Sequence, residues 1–288
     1  MPKQTSKKLP RTYFFLWLAI IVAYMSWLAF FLKHDTYAPS ETGISGAAAY
    51  AAWAVLSTTI LLVFPLCIKV FLFGPPPGKL IRIFCLSSLA LGFAYVTWYC
   101  FLKDPFEYTA SMIGLDYPLH FKLWGIISSV SIFLNVLYMY RINGYHSRSG
   151  VICGSLGSAA IFVTINVPSA GEKLILNSLR CMSHWAGALL FAFLLAFSIV
   201  VFLAGKARQG NRRYIALLVS FLFILITMFV LLVVVGKNGI IEGLPTWAAY
   251  LLLFLVNFTD VFKENGKPRE KEEVPAKTKS AEKTMSLK

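Results

Sequence analysis

Charge is scarce in this chain of 288 residues. Asp, Glu, Lys and Arg make up only 14% of it, against roughly 25% in an ordinary soluble domain. Hydrophobic residues make up 58%, and the mean hydropathy is +0.69. That composition excludes a soluble globular enzyme and a disordered regulator. Acidic side chains are scarcer than basic ones, 13 against 27, for a formal charge of +14. The excess does not mark a nucleic-acid-binding surface, because the basic residues flank apolar runs and fill one tail. Catalytic signatures are missing as well. The chain has no Gly-rich phosphate loop, no His-Glu-x-x-His, no nucleophile elbow and no carboxylate pair at catalytic spacing. Cys67, Cys85, Cys100, Cys153 and Cys181 contain no Cys-x-x-Cys and form no ligand set with histidine, so neither a metal nor a cofactor is expected. In or beside apolar spans, free thiols behave as small hydrophobes. Cys100 and Cys181 both fall near the expected outer face, which leaves a bridge open in an oxidising compartment.

What is present is a series of long apolar runs. Eight are long enough to cross a hydrocarbon core of ~30 Å as helices: Tyr13–Leu32, Ala47–Phe73, Leu80–Leu102, Leu123–Tyr140, Gly150–Val167, His184–Ala204, Tyr214–Val235 and Leu244–Phe262. Helices are expected because every backbone polar group in lipid needs an internal partner. The fold class is therefore an all-α, polytopic transmembrane bundle of eight spans. Its expected organisation is a basic N-terminus over 1–12, a two-helix hairpin over 13–79, a six-helix core over 80–262 and a disordered tail over 263–288. The first run reads as an uncleaved signal-anchor helix, since no clear small-x-small site follows it. Pro75, Pro76 and Pro77 stop the second helix.

Orientation follows from the basic residues. With the N-terminus inside, the short inner segments hold thirteen Lys and Arg, among them Lys79, Arg82, Arg141, Arg148, Arg212 and Arg213. The outer segments hold six: Lys33, Lys103, Lys122, Lys173, Arg180 and Lys237. Both termini are then cytoplasmic.

The spans lack ionisable groups away from their ends, which weighs against a pump or an ion-coupled carrier. Uncharged polar residues do occur. Ser128, Ser131 and Asn135 share one face of the fourth span, which should therefore look into the bundle, and Thr164 and Asn166 lie in the fifth. Their expected role is interhelical hydrogen bonding, on the order of 1 kcal/mol each. Gly150, Gly154 and Ser158 repeat at small-xxx-small spacing and predict a close helix contact. Trp98, Tyr99 and Trp124 read as an interfacial aromatic belt.

The one polar concentration is external. One loop runs from Lys103 to His120, a second from Glu172 to Ser183, and a third from Gly239 to Trp247. If the last six helices form one bundle, all three cap the same end. Ser111, Asp116, His120, His184, Glu242 and Trp247 are then the candidate ligand-binding residues.

The order of these elements resembles the DRAM (damage-regulated autophagy modulator) family, its fibroblast-growth-factor-receptor-activating-protein relatives and related prokaryotic proteins of unknown function. The matching pieces are Ser111-Met-Ile-Gly114, His184-Trp-Ala-Gly187-Ala188 with Phe191, and Glu242 followed by Trp247, within residues 80–262. Where the family has a Ser-Asp pair in the first loop, this chain has Ser-Met. The resemblance implies a six-helix bundle concerned with lipid handling, membrane organisation or signalling. It supplies no agreed catalytic residue, although some relatives take part in remodelling lipid anchors. The leading expectation is a non-enzymatic membrane protein that binds lipids or a membrane-protein partner through its outer polar pocket. The first alternative is a membrane-embedded lipid hydrolase or acyltransferase. It would use Ser111 or Thr109 as nucleophile, His120 or His184 as base, and Asp116 or Glu242 as the orienting group. A channel or carrier for a small neutral solute is the second. The expected location is a bacterial plasma membrane, with a eukaryotic endomembrane as the alternative.

Overall fold

The computed structural model describes residues 15, 17–26, 46–166 and 179–262, with side chains omitted at 46–50, 53, 54 and 179–181. The expectations for the extreme N-terminus, the ends of the first run, residues 167–178, the Cys181 side chain and the tail lie outside the described residues. The described residues are mostly helical, joined by short turns, and contain no strand. Its helices are α1 (Trp17–Ser26), α2 (Gly46–Ile68), α3 (Lys79–Cys100), α4 (Ala110–Asp116), α5 (Pro118–Ile142), α6 (Arg148–Asn166), α7 (Leu179–Ala207), α8 (Arg212–Val234) and α9 (Gly239–Phe258). Seven of them, all but α1 and α4, are long and apolar enough to cross a membrane, as expected of a multi-pass membrane protein. α2 carries Pro65 and ends in a π-helical turn, Lys69–Phe73, directly before the Gly74-Pro75-Pro76-Pro77 break.

The helix starts are where sequence and structure differ. Pro118 takes the first position of α5, where its missing N–H costs nothing, so the helix begins five residues before the apolar run. Asn238 caps α9 by accepting from the Ile241 N–H. Residues expected in loops, His120 and Glu242 among them, are therefore in the first turns of helices.

α5 is the central helix. It packs on α3, α6, α7 and α9, and most of its side chains are buried. Ser128, Ser131 and Asn135 do face inward. The Asn135 side-chain amide donates to the Cys85 carbonyl (3.1 Å) and the Ser88 hydroxyl (3.2 Å) of α3, and Asn257 of α9 donates to the Asn135 carbonyl (3.0 Å). One short polar residue thus ties three helices. The Ser131 hydroxyl meets the Tyr250 hydroxyl at 2.5 Å, and Ser129 donates to the Ser158 carbonyl at 2.8 Å. The N-terminal pair joins the core through Tyr24, whose hydroxyl meets Ser57 (2.7 Å) and accepts from Asn166 of α6 (3.0 Å). By contrast α8 turns Val219, Phe223, Val233 and Val234 outward, all at least 60% exposed. Such a row suits hydrocarbon and not water.

The most extensive pairing is α6 with α7. It depends on glycine, in part on the small-residue series read in the sequence: a Cβ on Gly154 would lie 3.1 Å from the Ser198 hydroxyl of α7. A Cβ on Gly187 would lie 2.5 Å from the Thr164 hydroxyl and 2.8 Å from the Ala160 carbonyl oxygen. A Cβ on Gly157 would lie 3.0 Å from the Leu195 backbone nitrogen. Gly187→Ala should therefore push the two helices apart. The expected loss is about 1–3 kcal/mol, read as a lower midpoint of thermal unfolding in detergent. An unchanged midpoint would mean that the pair has slack.

Candidate functional site

α4 is a seven-residue helix laid over the end of the bundle against α3, α5 and α9. It begins at Thr109 because the Thr109 hydroxyl accepts from the Met112 N–H (3.1 Å). Three further contacts pin it. The Tyr99 hydroxyl donates to the Ala110 carbonyl (2.7 Å), the Ala110 N–H donates to a Glu242 carboxylate oxygen (2.8 Å), and Gly114 lies against the Phe121 ring, where a Cβ would come within 2.7 Å. The 103–109 segment is tied to α9 as well, since the Ile240 N–H donates to the Pro105 carbonyl (3.2 Å). Ser111 is thereby held nearly buried, at 9% exposure.

The Ser111 hydroxyl oxygen lies 3.1 Å from Nε2 of His184, itself 3% exposed, in the second turn of α7. The other ring nitrogen, Nδ1, is 3.1 Å from the Thr164 carbonyl oxygen of α6. A carbonyl only accepts, so Nδ1 carries the proton. In the neutral ring Nε2 is then the acceptor, and the Ser111 O–H donates to it. The Thr164 hydroxyl donates in return to the His184 carbonyl (3.2 Å), so the two residues clasp each other across the helix pair. The Phe121 ring stacks on the imidazole, with centroids 6.1 Å apart.

Glu242 makes two bonds. One oxygen accepts from Ala110, and the other meets the Lys237 ammonium at 2.8 Å. Lys237 also lies over the Trp185 ring, 4.3 Å from its centroid. A polar series thus runs from Lys237 through Glu242 and α4 to Ser111, His184 and Thr164.

A cavity of about 150 Å³ opens beside this series. Ser111, His184, Thr164, Thr246, Lys237 and Glu242 contribute its polar wall, and the remainder is mostly apolar, with Phe121, Trp124 and Ile161 from α5 and α6. Leu189, Phe193 and Phe229 also line it, yet each is 43–54% exposed on the outer surface of α7 or α8. The cavity therefore opens sideways, between α7 and α8, and not along the bundle axis.

Three of the six candidate ligand-binding residues meet here: Ser111, His184 and Glu242. The other three lie elsewhere. Asp116 pairs with Lys103 at the surface, and that bond holds the Lys103 ammonium above its ordinary value. His120 is bonded through Nδ1 to the Tyr95 hydroxyl (3.1 Å), with the Trp98 ring edge-on to it. Trp247 stacks on Phe101 and lines a separate apolar groove with Leu86, Phe93 and Tyr250. Thr109, the alternative nucleophile, is spent as a helix cap. Sequence reasoning missed Thr164 and Lys237 as site residues. Thr164 holds the imidazole through its main-chain oxygen, which leaves no signal, while its hydroxyl makes the interhelical bond that the sequence predicts. Lys237 does leave one, a cation five residues from Glu242 across the Asn238 cap.

Glu242→Ala should free the start of α4, whereas Glu242→Gln keeps an acceptor for the Ala110 N–H and loses only the charge. We expect faster amide hydrogen exchange at Ala110 in the Ala variant alone, with a stability loss of about 1–3 kcal/mol. Equal exchange in both variants would show that the ion pair, and not the backbone bond, fixes the helix. Comparisons of this chain with protein-family models, with curated proteins and with solved structures found no match.

Proposed function

We propose that this protein is an integral membrane lipid-binding protein that takes an ester-linked acyl lipid from the outer leaflet into the cavity between α7 and α8. One observation carries the reading: a buried polar pair, Ser111 and His184, stands in the wall of a mostly apolar cavity whose mouth opens among exposed apolar side chains of α7 and α8. A cavity near 150 Å³ accepts a guest about the size of benzene. That is too small for a whole acyl chain. The part of the lipid near its ester would sit inside, with the chain continuing into the bilayer through the lateral opening.

Electrostatics favour an outer site. The opposite end of the bundle carries Lys79, Arg82, Arg141, Arg148, Arg208, Arg212 and Arg213, and cationic loops belong to the cytoplasmic side. The Lys237 ammonium at the cavity gives an anionic headgroup a partner, with Glu242 limiting its net attraction. Eight spans with both termini inside, and the DRAM-like order of spans and loops, belong to the same reading. A solute channel is less well supported, because Phe133, Leu137, Asn135 and Leu253, all fully or almost fully buried, fill the middle of the bundle.

Native mass spectrometry of the gently solubilised protein tests the reading. The wild type should carry a phospholipid or another acyl lipid. Ala188→Trp, which fills the cavity from α7, should weaken lipid binding roughly tenfold, equivalent to ~1.4 kcal/mol, and so lower the bound fraction. Bare wild-type protein, or the same occupancy in the filled variant, would refute it.

A further inference from the structure

We propose that Ser111 is a nucleophile activated by His184, and that the protein transfers an acyl group from an ester-linked lipid to a hydroxyl compound. The inference rests on the lipid-binding reading above and adds turnover to it. Its geometric requirements are a nucleophile in hydrogen-bond reach of a base, a base whose tautomer is fixed by a third group, and access for the reacting atom. The Ser111 oxygen is 3.1 Å from His184 Nε2. The Thr164 carbonyl fixes the proton on Nδ1, which leaves Nε2 as the base. Both side chains line the cavity that opens to the bilayer. A merely structural Ser–His contact between α4 and α7 would not require a cavity beside it.

Thr109 and His120 do not belong to this pair. The Thr109 hydroxyl caps α4, and His120 is bonded to Tyr95 away from the cavity. Glu242 is a positioning residue: it bonds the Ala110 N–H next to Ser111 and so holds the nucleophile against its base.

The step balances as follows. As the Ser111 oxygen forms a bond to the ester carbonyl carbon, its proton passes to His184 Nε2. The bond from that carbon to the lipid's alcohol oxygen then breaks, and the departing oxygen takes the proton from Nε2. This leaves an acyl ester on Ser111 and a free lipid alcohol. A hydroxyl compound R–OH next gives its proton to Nε2 and attacks the acyl carbon, and Ser111 recovers its proton as it leaves. No electron donor or acceptor is needed. Because the walls are mostly apolar and His184 is almost fully buried, a lipid-borne alcohol reaches the acyl ester more readily than bulk water does.

The test uses the full chain in mild detergent with a long-chain alkyl fluorophosphonate, a probe that bonds to activated serine oxygens with loss of fluoride. Peptide mass analysis should find the adduct on Ser111. Ser111→Ala should abolish it, and His184→Gln, which keeps a hydrogen-bonding side chain without the base, should slow labelling by about 100-fold or more. Should His184→Gln fail to fold, judged by gel filtration, the position of the adduct in the wild type decides. Brief incubation with vesicles of an ester phospholipid followed by acid quench should also trap an acyl ester on Ser111. No label, a label on another residue, or wild-type labelling of folded His184→Gln overturns the inference. If the unlabelled wild type still retains lipid by native mass spectrometry, only turnover falls. If it retains none, lipid binding falls with it.

Discussion

Inside a hydrocarbon slab, a polar side chain has no water to fall back on, so each must find its partner within the protein. That constraint organises this molecule. Asn135 in α5 satisfies its amide on α3, and its main chain accepts from α9. Tyr24, Ser57 and Asn166 do the same between the N-terminal pair and α6. Each bond contributes little energy alone, roughly 1 kcal/mol. Each nevertheless selects one rotation of its helix, because a different rotation would turn the polar group toward lipid.

The Ser111–His184–Thr164 arrangement obeys the same rule with a different result. Thr164 and His184 exchange two bonds across α6 and α7, and Gly187 lets the helices come close enough to do so. The clasp satisfies Nδ1 and thereby directs Nε2 to Ser111. A requirement of helix packing has fixed the tautomer of an imidazole. Meanwhile α4 is too short to be stable alone and is held by Tyr99, Glu242 and Phe121, one each from α3, α9 and α5. Ser111 and His184 thus sit on parts of the chain that cannot easily move relative to one another.

Hydropathy located the long helices well, because burial in lipid is a property of whole windows of sequence. It failed at helix starts, where polar caps and first turns continue the helix beyond the apolar run, as at Pro118 and Asn238. Which candidates met at the site was decided by helical geometry that loop assignments concealed. Ser111 and Asp116 are five positions apart on α4, about 140° around a helix, so one faces the bundle and the other the surface. Glu242 and Trp247 on α9 are separated in the same way. His120 directly precedes Phe121 on α5, about 100° away: Phe121 stacks on the site imidazole while His120 turns to Tyr95. Once residues are placed on helices, such angles follow from the sequence. The Thr164 carbonyl does not, since every residue has one.

Binding and transfer place different electrostatic demands on these same atoms. Holding an ester requires only neutral hydrogen bonds. Transfer passes through an imidazolium beside an oxyanion, and in an apolar medium that charge must be met by groups already in place. The clasp suits this demand, because the Nδ1–H bond to the Thr164 carbonyl becomes charge-assisted when the ring is protonated, and such bonds are roughly twice as strong as neutral ones. Thr164 therefore stabilises the charged ring more than the neutral one. A contact that served only to join α6 and α7 would be met equally by any donor at position 184. An imidazole at that position is the group whose two nitrogens can hold a carbonyl on one side and receive a proton on the other.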